Sequence, residues 1–174
     1  PTFMNTASET GADVFTVKYF DRQAYLAQSP QFYKQMAMAS GLERVFMVGT
    51  VYRAEKSFTN RHVTEFTGWD FELANINSHY DVIEQEEAML AAGFSQVKEK
   101  LGIDVVVPSR PFPRISLKQA KEKLAAQGIK SEAIDDFSPE EEREICRIIK
   151  EETGHDFVFV TDYPFSARPF YHML

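Results

Sequence analysis

The stretch GTVYRAEKSFTNRHVTEFTGWDFELA, from Gly49 to Ala74, constrains the fold more than any other part of this 174-residue chain. It alternates with the period of two that sends successive side chains to opposite faces of a β-strand. On a first strand Met47, Gly49, Val51, Arg53 and Glu55 share one face, and Phe46, Val48, Thr50, Tyr52 and Ala54 share the other. On a second strand Phe66, Gly68, Asp70 and Glu72 lie together, opposed by Thr67, Trp69, Phe71 and Leu73. A hairpin with this pattern has an apolar packing side and a side that collects charge. The connection from Lys56 to Thr64 carries Lys56, Arg61 and His62, and it exceeds the roughly two to five residues of a tight hairpin turn. A long basic loop at the end of a charged sheet face makes an anion a natural partner.

Cross-strand ion pairs on a solvent-facing sheet side would account for these charges on their own. Two residue choices point instead to a ligand. Gly49 and Gly68 remove side chains in mid-strand, which weakens a strand unless another body approaches its backbone. Phe66 places an aromatic ring on an otherwise polar face. A ring beside a fixed arginine, over a floor of glycines, suits a planar base joined to a phosphate.

The hairpin strands run from Val45 to Glu55 and from Glu65 to Ala74, and further β-like runs occur at Val14 to Tyr19, Ala24 to Gln28, Ile103 to Val107 and Phe157 to Thr161. Between them lie a short helix from Pro30 to Ser40, with Ser29 at the N-cap and Pro30 at N1, and a long amphipathic helix from Tyr80 to Leu101. On the short helix Phe32, Tyr33, Met36 and Ala39 cluster on one face, while Gln31 and Lys34, three residues apart, meet on the other near the helix start. Ser116 with Gln119, and Ser138-Pro139 with Glu141, read as capping boxes. The segment from about 108 to 152 is therefore expected to be a mainly helical insertion between strands, with a solvated charged surface.

Composition narrows the functional classes. Hydrophobic residues at 44% and charged residues at 26% suit one globular domain. No apolar run approaches the roughly 18 residues of a membrane span, so no membrane partner is expected. The net charge of −7 argues against indiscriminate coating of nucleic acid and leaves room for a local basic pocket. The single cysteine, Cys146, excludes an internal disulfide and fits a reducing, cytoplasmic compartment; its helical pattern reads as half-buried packing. His155-Asp156 has no companions at ligand spacing and reads as the turn ending a helix, so no metal ligand is assigned. Trp69, on the apolar side of the hairpin, reads as core. Neither a Walker loop nor a dinucleotide fingerprint is present.

Val51-Tyr52-Arg53-Ala54-Glu55, the basic loop, and Thr64-Glu65-Phe66-Thr67-Gly68-Trp69-Asp70 together resemble motif two of the class II aminoacyl-tRNA synthetases. Ala27-Gln28-Ser29-Pro30-Gln31-Phe32-Tyr33-Lys34-Gln35-Met36 resembles the amino-acid signature of the aspartyl-tRNA synthetase subgroup in its archaeal and eukaryotic form. Tyr163-Pro164 with Ala167-Arg168-Pro169-Phe170-Tyr171 resembles a later strand of the same site, and the likeness runs essentially from Pro1 to the last residues.

The resemblance implies an α+β fold, an antiparallel β-sheet flanked by helices of the class II synthetase type, with residues 1–174 as a partial catalytic domain truncated before motif three. By the same resemblance Arg53 would hold the α-phosphate of ATP and the amino-acid carboxylate, Glu55 the adenine amino group and Phe66 the adenine ring, with Arg61 and His62 on the outer phosphates. Glu9, Gln28, Ser29, Gln31, Lys34 and Asp70 would bind aspartate, with Glu9 and Asp70 on its α-ammonium and Lys34 on its side-chain carboxylate. Thr10 stands where the family usually has glycine. The asparaginyl enzymes lack a lysine at the position of Lys34 and usually carry alanine at that of Pro169, so L-aspartate is the expected amino acid.

The implied reaction is activation of aspartate by ATP, with Mg2+ held outside this chain, and transfer to tRNA(Asp) by a homodimeric parent protein. The 174-residue piece alone is expected to be inactive, since the family's second catalytic arginine and magnesium ligands would lie beyond Leu174. Two alternatives stand beside this reading: an asparagine synthetase paralogue that passes the adenylate to ammonia, and a non-catalytic domain that binds a nucleotide or a protein.

Overall fold

The computed structural model describes residues 2–6, 13–54, 62–131 and 133–168. The chain divides into two compact units, Pro1–Asn77 and Ser78–Leu174.

In the first unit β1 (Phe3–Met4), β2 (Thr16–Tyr19) and β3 (Arg22–Leu26) form an antiparallel sheet in the order β1-β3-β2. The helix α1 (Gln31–Ala39) leads into the long hairpin of β4 (Arg44–Tyr52) and β5 (Glu65–Leu73). Its antiparallel register sets Met47 opposite Asp70, Gly49 opposite Gly68 and Val51 opposite Phe66, which preserves the two faces expected from the sequence. Backbone bonds fasten the small sheet to the hairpin, the amide of Tyr52 donating to Ala27 at 2.8 Å and that of Ala54 to Asp13 at 3.0 Å.

The hairpin buries the opposite face from the one its apolar content predicts. On the apolar face Phe46 is 68% exposed and Trp69 46%, so Trp69 is not a core residue. The covered face is the charged one, against which α1 packs. The helix is reversed in the same sense: Phe32 and Met36 are exposed, and the one buried residue of α1 is Lys34. The physical reason lies in complementary charge. Asp70 and Glu72 on β5 meet Lys34 and Gln31 on α1, and polar groups that satisfy each other can be withdrawn from water together.

In the second unit α2 (His79–Leu101) starts at a capping box of Ser78 and Asp81 and ends at Gly102, whose φ of 65° is the left-handed cap that glycine adopts without strain. Then follow β6 (Arg114–Ser116), α3 (Leu117–Ala126), α4 (Pro139–Thr153) and β7 (Phe159–Thr161). Strands β6 and β7 pair in parallel, the arrangement that needs a long crossover, here made by α3 and α4. Both helices start at the capping boxes read from the sequence, Ser116 with Gln119 and Ser138 with Glu141. The core of the unit is Ile115, Ala120, Leu124, Ile145, Ile148 and Ile149.

Several local expectations are corrected. Residues Ile103 to Val107 form no strand; Ile103 and Val106 are exposed, and without a partner a short apolar run gains nothing from extension. Strand β6 lies inside the segment read as helical, too short to register as a pattern but fixed by pairing with β7. Helix α1 begins one residue late, with Pro30 at the N-cap position. Cys146 is exposed on α4, one position off the stripe of Ile145, Ile148 and Ile149. His155 follows the left-handed Gly154 that ends α4, as a helix-ending turn requires. Its Nε2 lies 2.8 Å from the carbonyl of Ser109, and its ring packs 4.7 Å from that of Phe112.

Candidate functional site

The charged face of the hairpin is built around Lys34. Pro30 cannot donate a backbone hydrogen bond, and the hydroxyl of Ser29 accepts from the amide of Gln31 at 3.2 Å, fixing the first turn of α1. The turn aims Gln31 and Lys34 at β5. The Lys34 side chain is 4% exposed, and its Nζ lies 3.2 Å from Asp70 Oδ1 and 3.3 Å from Glu72 Oε2. Gln31 Nε2 donates to the two oxygens of Glu72 at 3.4 and 3.3 Å. Taking an ammonium out of water is costly unless it is paired, and here two carboxylates supply the pairing. With one positive and two negative groups, the cluster carries an excess of negative charge suited to receiving a further cation.

Beside this cluster a pocket of about 150 Å³ is lined by Ala27, Ser29, Pro30 and Tyr33 on one side and by Met47, Gly49 and Gly68 on the other. A Cβ on Gly49 would meet nothing within 4 Å, and one on Gly68 would touch Asp70 Oδ2 at 3.4 Å. Gly49 therefore leaves bare backbone open as a floor, whereas the space over Gly68 is bordered by the side chains of Asp70 and Val51. Gln28, 1% exposed, sits at the end of β3 next to this wall.

Further along the same face, the Arg53 guanidinium carbon is 5.5 Å from the centre of the Phe66 ring, within the range of a cation–π contact. The Arg53 amide donates to the Thr64 carbonyl at 3.0 Å, holding the ends of the strands together beneath that pair. His62 is exposed on the connection. Of the residues singled out from the sequence, Gln28, Ser29, Gln31, Lys34, Arg53, Phe66 and Asp70 belong to this one unit, whereas Glu9, Glu55, Arg61 and the segment from Pro169 to Tyr171 lie outside the described residues. Sequence reasoning gave Glu72 no role, although its position two residues beyond Asp70 on one face was a usable signal. Among the described residues, no group of three or more His, Cys, Asp or Glu side chains is placed to hold a metal ion, and no helix is long and apolar enough to cross a membrane.

The family described as tRNA synthetases class II (D, K and N) matches residues 1–174. The chain belongs to that family. It is 42% identical to an aspartate–tRNA(Asp) ligase of Thermoplasma volcanium over 99% of its own length and 41% of that protein's. The chain thus spans about two fifths of the length of that curated relative. Among solved structures it resembles the aspartyl-tRNA synthetase of Entamoeba histolytica, with 36% identity and a TM-score of 0.77 over 86% of this chain and 33% of that one. It also resembles the asparaginyl-tRNA synthetase of Pyrococcus horikoshii complexed with asparaginyl-adenylate, with 34% identity and a TM-score of 0.78 over 97% of this chain and 39% of that one. These likenesses give the chain the class II synthetase fold, α+β with antiparallel sheets.

Proposed function

We propose that the protein carrying this chain activates L-aspartate with ATP to aspartyl-adenylate and transfers the aspartyl group to tRNA(Asp), and that residues 1–174 are part of its catalytic domain. The observation that carries this reading is the buried ammonium of Lys34 beside a pocket floored by glycines. Such a charge, held at a fixed depth, favours an amino acid whose side chain ends in a carboxylate over one ending in an amide. Asp70 receives the α-ammonium, and Gln28, Ser29 and Gln31 shape the remaining wall.

Arg53 holds the α-phosphate and the attacking carboxylate in line, a task for the planar fork of a guanidinium. Phe66 covers the adenine ring. Glu9, Glu55, Arg61 and His62 complete the amino-acid and ATP contacts. No side chain acts as a nucleophile; the site works by positioning and by stabilising charge on the phosphate. Magnesium accompanies ATP as part of the proposal. A homodimeric, cytoplasmic parent protein is part of the proposal.

The likeness to an asparaginyl enzyme supports a second reading, activation of asparagine, and one experiment separates the two. In the full-length protein, pyrophosphate exchange into ATP is expected to depend on aspartate and not on asparagine. Lys34→Met leaves the substrate carboxylate unpaired, a loss of about 3 kcal/mol or more, so aspartate activation falls at least about a hundredfold. Near-normal aspartate activation by Lys34→Met, or exchange driven by asparagine, would remove the basis of the aspartate reading.

A further inference from the structure

We infer that Met47, on the first strand of the hairpin, sets the depth of the amino-acid pocket and so selects aspartate over glutamate; this rests on the aspartate reading above. The period of two puts Met47, Gly49, Val51 and Arg53 on one face. Across the hairpin the first three lie opposite Asp70, Gly68 and Phe66. The face therefore runs from Arg53 and Phe66, over the glycine pair, to Met47 and Asp70, where Asp70 Oδ1 meets Lys34 Nζ at 3.2 Å. Neighbouring positions on one strand face are roughly 7 Å apart, so Met47 is the first side chain beyond the bare backbone of Gly49. An amino acid lying on that floor, with its reacting carboxylate towards Arg53, ends its side chain against Met47.

Of the residues lining the pocket, Met47 is the one set directly opposite Asp70. Facing Cβ atoms in an antiparallel pair are about 4.5–5.5 Å apart, so the half-buried thioether stands beside the Asp70 carboxylate. The floor itself does not limit depth, since a Cβ on Gly49 would meet nothing within 4 Å. The limit is the long, unbranched side chain of Met47, which fills the space that a second methylene in the substrate would need. Its lack of charge matters as well. A thioether keeps water from the inner end of the pocket, which strengthens the pairing of a substrate carboxylate with Lys34, and it does not compete for that ammonium as a carboxylate at position 47 would.

The test is pyrophosphate exchange by the full-length protein with aspartate and with glutamate, each at varied concentration, and with ATP varied separately. Met47→Ala is expected to raise the ratio of kcat/KM for glutamate to that for aspartate at least about tenfold, the scale on which one methylene is discriminated, while the ATP KM stays within about twofold. Met47→Leu, close to methionine in volume, is expected to keep the native ratio within about threefold. Should Met47→Ala not fold, Met47→Val shortens the same side chain with a residue suited to a strand, and a rise in the ratio of at least about threefold is expected. An unchanged ratio in the shortened variants, or equal losses for both amino acids together with a raised ATP KM, overturns the inference and leaves the aspartate reading intact. A native protein that does not activate aspartate overturns both.

Discussion

Arg53 and Phe66 sit against each other at 5.5 Å on one sheet face, yet the proposed chemistry gives them separate tasks. Arg53 acts where negative charge develops, so Arg53→Ala is expected to lower kcat and kcat/KM for activation together, by about a hundredfold or more. Phe66 contributes ring contact with the base before and during the reaction, so Phe66→Ala is expected to raise the ATP KM several-fold with a smaller change in kcat. Steady-state exchange kinetics on the full-length protein distinguish the two signatures. Unchanged kinetics in both variants would leave Arg53 and Phe66 as a surface cation–π pair with no part in ATP binding.

The helix α4 is stabilised at its start by a single carboxylate that serves several donors. Glu141, 2% exposed, accepts from the amide of Ser138 at 2.7 Å, from Lys121 Nζ at 2.8 Å and from the hydroxyl of Ser131. Burial pushes this carboxyl up, but the bonds from Lys121, Ser131 and Ser138 and the charge of Lys121 outweigh it and hold the group at about 2, against an ordinary 4.5. The folded state therefore gives up this proton more readily than the unfolded chain. Its contribution is complete above pH 4.5 and is lost as the pH falls from 4.5 towards 2. Thermal unfolding followed across that interval is expected to show a steep fall for the native chain and a shallower one for Glu141→Gln, which also starts from a lower midpoint at neutral pH. Parallel curves would mean that the carboxylate adds nothing specific to the joint between α3 and α4.

Across the molecule, polar faces are buried where charges match, and an apolar face carries the single tryptophan, Trp69. At 46% exposed, Trp69 is expected to emit at the long wavelengths of a solvated indole and to be quenched readily by iodide in the purified 174-residue chain. A blue-shifted, quencher-resistant emission would show that this face is covered in solution. The same burial pattern separates what is local from what is not. The hairpin and its two segregated faces, the capping boxes at Ser116 and Ser138, and the convergence of Gln31 with Lys34 were legible because each depends on residues a few positions apart and on the periods of strand and helix. So was the family, carried by short runs of specific residues. The sequence by itself thus determined the four helices, the long hairpin and the segregation of its two faces. It left undecided which face each element buries, because Lys34 and its partners Asp70 and Glu72 stand on different elements, 36 residues apart in the first pair, and hydrophobicity alone favours the other choice. It also left open the parallel pairing of β6 with β7 and the pairing of Glu72 with Lys34, since a three-residue strand and a lone carboxylate acquire meaning only from a distant partner. Those were settled by tertiary structure, where the desolvation of one ammonium is compensated by two carboxylates that no local pattern could have assigned to it.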